Sequence, residues 1–424
     1  MKEMKHSGAK WIGEIPTSWQ SDKLKYHLRR KEPKNPGNMI VLSLYRELGI
    51  IPKDSRDDNH NQTSEDTSKY KYVKPGNFVV NKMKAWQGSV AVSDYEGIIS
   101  PAYYVYEFID NIYFKRYFHY LLRGCYKDEF MRLSGGMRVG QWDLSSEDLE
   151  NTLVIIPPID EQKKIADFLD NKCAEIDGLI ADIQNQIETL EQYKKSTISE
   201  AVTGGINSCT IKQDSGYEWI GATPSDWHFI KGKYLFAQRS SKGNNINLRL
   251  LSPSQKFGVI PQTLLEELTT QNVVKVKEDT DLSSFKTIHI GDFCISLRSF
   301  QGGFEYSKYE GVVSSAYQVF YPTVKIYDGY YRFLFKDKAF IDKMNSYTIS
   351  FRDGKNIAFS DFGNTYLPYP PIEEQKAIAD YLDEKCAEID ACISSKKEQI
   401  LTLEAYKKSV IYEYVTGKKE VEYN

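Results

Sequence analysis

Four short stretches of this chain carry side chains suited to reading a nucleic acid, and they form two matched pairs. Lys82-Met83-Lys84-Ala85-Trp86-Gln87 and Ser296-Leu297-Arg298-Ser299-Phe300-Gln301 each follow a strand-like run and each combine cations, an aromatic ring and a glutamine. Such cations pair with phosphate, and a glutamine amide can meet adenine with two hydrogen bonds. The second pair of loops offers Arg138 with Gln141 and Arg352 with Lys355; next to the former, Gly135-Gly136 permits close backbone approach. Lys82, Lys84, Trp86, Gln87, Arg138, Gln141, Arg298, Ser299, Gln301, Arg352 and Lys355 are the candidate DNA-binding residues. A single one of them reads most simply as a solvated strand end; recurrence at equivalent places is the argument for more.

Catalytic chemistry has no comparable mark. There is no GxxxxGK[ST] phosphate loop, no GxGxxG after a strand and no HExxH pair. Gly135-Gly136-Met137-Arg138-Val139-Gly140 imitates a glycine fingerprint without opening a helix from a strand, and no Asn-Pro-Pro-aromatic run of amino-methylating enzymes occurs. The six histidines share no pattern between the matched regions, and the six cysteines form no CxxC pair. The expectation is a chain without catalytic residues, holding no metal or cofactor, with reduced thiols in a cytoplasm.

The elements that must position the loops are themselves repeated. Pro157-Pro158-Ile159-Asp160-Glu161-Gln162 recurs as Pro370-Pro371-Ile372-Glu373-Glu374-Gln375, and an offset of 213 then holds without a gap to Thr203-Gly204 and Thr416-Gly417. Trp11-Ile12-Gly13, Pro16 and Trp19 recur as Trp219-Ile220-Gly221, Pro224 and Trp227, and Tyr95-Glu96-Gly97 recurs as Tyr309-Glu310-Gly311. The chain is therefore two copies of a globular part followed by a long helix. Domains are expected at 1–156, 157–205, 206–369 and 370–424.

Charge follows the same division. Residues 1–156 carry 23 Lys+Arg against 20 Asp+Glu, and residues 157–204 carry 5 against 10. Residues 205–369 carry 19 against 16, and residues 370–424 carry 8 against 12. Only the globular parts are basic enough to suit a polyanion. No apolar run is long enough to span a membrane.

Local patterns predict an α+β globular part. Lys74-Pro75-Gly76-Asn77 reads as a turn into a strand at Phe78-Val79-Val80, and Val90–Val92 with Ile98-Ile99 reads as a hairpin. Asn111–Arg123 and Asp328–Met344 have helical spacing. Each long segment predicts a helix of about forty residues, acidic in its first turn and stopped by glycine. Leu169, Cys173, Ile176, Ile180, Ile183, Ile187 and Leu190 alternate in steps of four and three, an a/d seam. The second seam is Leu382, Cys386, Ile389, Ile393, Lys396, Ile400 and Leu403, where Lys396 is near a surface or snorkels. Pairing with the other copy, antiparallel, hides both stripes.

With these motifs the chain closely resembles the specificity subunit of type I restriction-modification systems, over essentially its whole length. The resemblance rests on the Trp-Ile-Gly…Pro…Trp start of each globular part and on the Pro-Pro-Ile-acid-Glu-Gln opening of each helix. It implies two target-recognition domains, each reading half of a split, asymmetric double-stranded DNA site. It also implies an antiparallel coiled coil that spans the unread spacer and docks two methylation subunits and two restriction subunits. S-adenosylmethionine, ATP and Mg would then be bound by those partners, and nothing of the kind by this chain. Two other readings, a single-chain DNA enzyme and a coiled-coil scaffold without DNA contact, are separated by assaying the chain alone and by gel shift.

Overall fold

Pro157-Pro158 and Pro370-Pro371 each separate a four-residue strand from a long helix, consistent with proline's missing donor and its fitness for a helix start. The computed structural model describes residues 3–45, 48–55, 63–64, 66–136, 142–207, 209–242, 248–269, 282–295, 303–347 and 357–421. The helices run Ile159–Gly204 and Ile372–Val415, 46 and 44 residues, somewhat longer than the spacing predicts. At 1.5 Å per residue each is roughly 65–70 Å long. The left-handed glycines that follow are Gly205 (φ 73°) and Gly417 (φ 71°), while Gly204 still belongs to its helix.

The chain divides into two units: residues 1–183 with 397–424, and residues 184–396. The division passes through both long helices. Each unit therefore holds one globular domain, the first half of the helix that follows it, and the last half of the other helix.

In the first unit an antiparallel sheet has the order Leu28–Arg30, Tyr103–Phe108, Phe78–Asn81, Val90–Val92. Trp19, Phe78, Tyr106, Phe118, Tyr126 and Phe130 build the core, joined by Leu169 from one long helix and Val415 from the other. In the second unit the order is Phe236–Arg239, Gln318–Pro322, Phe293–Ile295, Phe304–Tyr306. Its core of Trp227, Phe236, Phe293, Phe304, Phe320 and Tyr330 is likewise joined by Val202 and Leu382. The class is α+β in both.

Three local expectations are corrected. Val90–Val92 and Gly97–Ile99 do not form a hairpin: the former pairs with Phe78–Asn81, the latter with Lys71–Val73. The reason lies at Gly97, where a Cβ would come within 2.6 Å of the Ile40 carbonyl oxygen while Ile98 N–H donates to that same carbonyl at 2.9 Å. Gly311 meets Arg249 in the same way, which explains the recurrence of Tyr-Glu-Gly. The helix expected from Asn111 begins at Lys115, because Gln162 occupies the Ile112 carbonyl and the Phe114 N–H. The helix expected over Asp328–Met344 is two, Asp328–Leu334 and Lys338–Asn345; the Asp337 carboxylate caps the second by accepting from Ala339 and Phe340 N–H.

The long helices pair antiparallel within each unit. In the first, Lys407 bonds Asp177 at 2.7 Å and the rings of Phe168 and Tyr414 lie 4.3 Å apart. In the second, Lys194 bonds Asp390 at 2.6 Å. Asp177 and Asp390 are offset by 213, as are Lys194 and Lys407, so one contact is made twice. Leu169, Cys173, Ile176 and Ile187 are buried, and Ile180, Ile183 and Leu190 half-buried. On the second helix Leu382, Cys386, Ile389 and Ile393 are buried, with Ile400 and Leu403 half-buried. Lys396 is half-buried in line with them and carries its ammonium to Gln186 Oε1 at 2.5 Å, a snorkelling geometry.

Candidate nucleic-acid interface

The frame that holds the loops is built from the repeated motifs. Trp19 Nε1 donates to Glu161 Oε2 at 2.9 Å, and Trp227 Nε1 donates to Glu374 Oε2 at 2.9 Å. Gln162 and Gln375, both fully buried, accept from the Phe114 and Tyr327 N–H groups and donate to the Pro157 and Pro370 carbonyls. Tyr117 and Tyr330 donate to the carbonyls of Val415 and Val202, the last turns of the opposite helices. Gly417 lies against Pro16 and Trp19, where an added Cβ would meet ring atoms at 2.6–2.8 Å. The acid-Glu-Gln and Thr-Gly motifs are thus clasps between helix and globular domain, a role that composition and period do not reveal.

On this frame the Lys82–Gln87 loop leaves the strand Phe78–Asn81. The buried Asn81 side chain accepts from Met83 N–H at 3.2 Å, and a 3-10 turn at Ala85–Gln87 ends on left-handed Gly88 (φ 85°). Ala85 is buried beneath, so Lys84 stands exposed and Trp86 half-exposed. Trp86 donates its indole N–H to the Met83 carbonyl and packs edge-on against Trp142, ring centroids 5.5 Å apart. The Lys82 ammonium lies 3.2 Å from Asp143, and the Lys82 carbonyl accepts from Leu144 N–H. The first loop is thereby held to the residues that follow the second. Gln87 is half-buried and lines a 1290 Å³ groove beside Gly88, His119 and Arg123.

Arg138, Gln141, Arg298, Ser299, Gln301, Arg352 and Lys355 lie outside the described residues. Residues that sequence reasoning missed surround the loop that is described. Arg30 sits over the Tyr104 ring at 4.7 Å and bonds Glu32, which also pairs with Lys71 at 2.8 Å. Burial opposes ionisation of Glu32, but the bonds from Arg30 and Lys71 prevail and hold its carboxyl below the ordinary range. Burial, then Asp143, pushes the Tyr104 phenol up, so it stays a neutral hydroxyl able to donate. The second unit replaces Tyr104 with Gln318, whose amide bonds the Ile357 carbonyl and Phe359 N–H, and it holds Arg239 bidentate on Asp292 at 2.7 and 3.0 Å. The frames agree; the surfaces they carry do not.

Among the described residues no group of three or more His, Cys, Asp or Glu could hold a metal ion, and no helix is long and apolar enough to cross a membrane.

The type I restriction modification DNA specificity domain matches the chain twice, over residues 25–189 and 207–405. The type I restriction enzyme MjaVIII specificity subunit of Methanocaldococcus jannaschii is 26% identical over 431 residues, covering 96% of this chain and 94% of that protein. The HsdS subunit from Thermoanaerobacter tengcongensis shares 13% identity with a TM-score of 0.54, over 96% of this chain and 98% of its own. A chain from a structure concerned with complex assembly and conformational transition of the type I R-M system shares 14% identity with a TM-score of 0.64, over 96% and 99%. At such identities the two structures establish the fold alone.

Proposed function

Since the chain belongs to the type I restriction-modification DNA specificity family, we propose that it reads a bipartite, asymmetric DNA site, one half with each recognition domain. Its long helices set the unread gap and dock two methylation subunits and two restriction subunits. The methyl donor, S-adenosylmethionine, and the ATP and Mg of restriction belong to those partners; this chain supplies the address.

One observation supports the reading above the rest. The two units share a hydrogen-bonded frame, Trp19–Glu161 matching Trp227–Glu374 and Tyr117–Val415 matching Tyr330–Val202, yet differ in what the sheet carries, Tyr104 against Gln318. One frame with two surfaces is what two half-sites of unlike sequence require. Lys84, Trp86 and Gln87 are then base or phosphate contacts in the first half, and Arg298, Ser299 and Gln301 in the second. Arg138 with Gln141 and Arg352 with Lys355 complete the two sets. The antiparallel seams, Leu169 to Leu190 and Leu382 to Leu403, keep the helices straight enough to act as a spacer.

The test is gel shift and methylation with the chain alone, with a methylation subunit, and with both on random DNA. The expected result is binding by the pair and methylation only when the catalytic subunit is present. Methylation or cleavage by the purified chain alone would overturn the reading, as would a complex that forms but never retains DNA.

A further inference from the structure

Away from the long helices much of the exposed surface of the two units has diverged, but one corner has kept its side chains. Lys25-Tyr26 in the first unit and Lys233-Tyr234 in the second occupy the same corner of the fold. There Leu24 N–H donates to the Thr152 carbonyl, as Gly232 N–H does to Thr365. Tyr26 is 57% exposed and Tyr234 63%. Each lysine ammonium lies 5.4 Å from its tyrosine ring and donates to an asparagine, Lys25 to Asn151 at 3.0 Å and Lys233 to Asn364 at 3.4 Å. Asn151 and Asn364 keep the 213 offset. Among the described residues neither ammonium pairs with a carboxylate.

The neighbours in sequence behave in the opposite way. Buried Leu24 is answered by Gly232, and buried His27 by Leu235. Packing ordinarily restrains buried residues and leaves exposed ones free, so a corner whose interior varies while its exterior repeats is restrained from outside. Lysine, tyrosine and asparagine are also the side-chain types that contact phosphate and sugar. From Lys23 to Lys34 the chain holds six cations and one acid, and from Lys231 to Lys242 four cations and none. In the first unit that run reaches the proposed reading surface, since Arg30 covers Tyr104.

We propose that Lys25-Tyr26-Asn151 and Lys233-Tyr234-Asn364 are equivalent sites for the DNA sugar-phosphate backbone, one on each half-site. The inference deepens the proposed function and rests on it. Two half-sites of unlike sequence have only their backbone in common, and a feature repeated in both readers faces what the half-sites share. Base-reading loops must differ between units; a backbone clamp must not.

The experiment uses the full chain with its methylation subunit and measures affinity for specific and random duplexes between low and high salt. Lys25→Ala with Lys233→Ala should weaken both duplexes by the same factor and lower the slope of log affinity against log salt by about 2, roughly one per lost phosphate contact. Tyr26→Phe with Tyr234→Phe keeps the rings and should weaken both duplexes by a smaller common factor, with the slope and the methylated sequence unchanged. Melting temperature should not move in either variant, since these side chains are exposed. An unchanged slope with unchanged affinity overturns the proposal. So does weaker capture of the methylation subunit at unchanged salt dependence, which would make the corner a protein contact. If wild-type protein fails to prefer its specific duplex, the proposed function fails first and separately.

Discussion

Gln162 shows how much of this protein rests on single buried amides. Its side chain satisfies the Phe114 N–H and the carbonyls of Ile112 and Pro157 where no water reaches. Gln162→Ala should leave those groups unpaired and cost roughly 1–3 kcal/mol in urea unfolding, and Gln375→Ala a similar amount; a change within error would mean the clasp carries no weight. Glu305 makes a pH prediction. It is 1% exposed, and burial raises its carboxyl to about 7 although Lys336 pairs with it at 2.6 Å and pulls the other way. Between its ordinary 4.5 and about 7 the folded chain holds a proton that the unfolded chain has lost, so stability falls as pH rises through that window and levels above it. Wild type should lose up to roughly 3 kcal/mol there, and Glu305→Gln should flatten the fall in thermal melts at pH 5 to 8. A fall of equal size in the variant would assign it to another group. Neither residue was legible in sequence: Asp160-Glu161 read only as acid for a helix dipole, and the indole that Glu161 meets is 142 positions away.

The long helices were the most legible elements, because a 3.5-residue period over many turns has one structural meaning. The antiparallel pairing that Asp177–Lys407 and Lys194–Asp390 carry was legible for another reason, a chain that closes back on itself to cover each stripe with the other copy's. Short strands were the least legible. Val90–Val92 and Ile98-Ile99 resembled a hairpin because their turn was local, while the close approach of Gly97 to Ile40 that separates them is not a local property. Lys396 tests the seam directly. Lys396→Ile restores the apolar step that Ile183 supplies in the first helix and should raise the melting temperature, by about 1 kcal/mol of added burial. A lower melting temperature would show that the Gln186 bond, not the stem, holds that position.

At the scale of the whole molecule the repeat was plain in sequence, since 213 positions separate matched residues across both helices. What the sequence could not show was that each unit closes with the end of the other copy's helix, through Tyr117–Val415 and Tyr330–Val202. Two readers joined by such helices should space their half-sites in proportion to helix length. Seven residues added at matched points of both helices, about 10 Å, should widen the unread gap by roughly three base pairs at 3.4 Å each. An unaltered gap would remove the helices from that role.

The most direct measurement is sequencing of methylated adenines in DNA from cells that express the chain with its methylation subunit, alongside a Lys84→Ala, Trp86→Ala variant of the first unit. Independent reading of two half-sites predicts a split motif with a fixed gap, and in the variant a relaxed first half beside an unchanged second half, about 1–3 kcal/mol of discrimination being lost per good base contact. A continuous motif, or a variant in which both halves relax together, would contradict it.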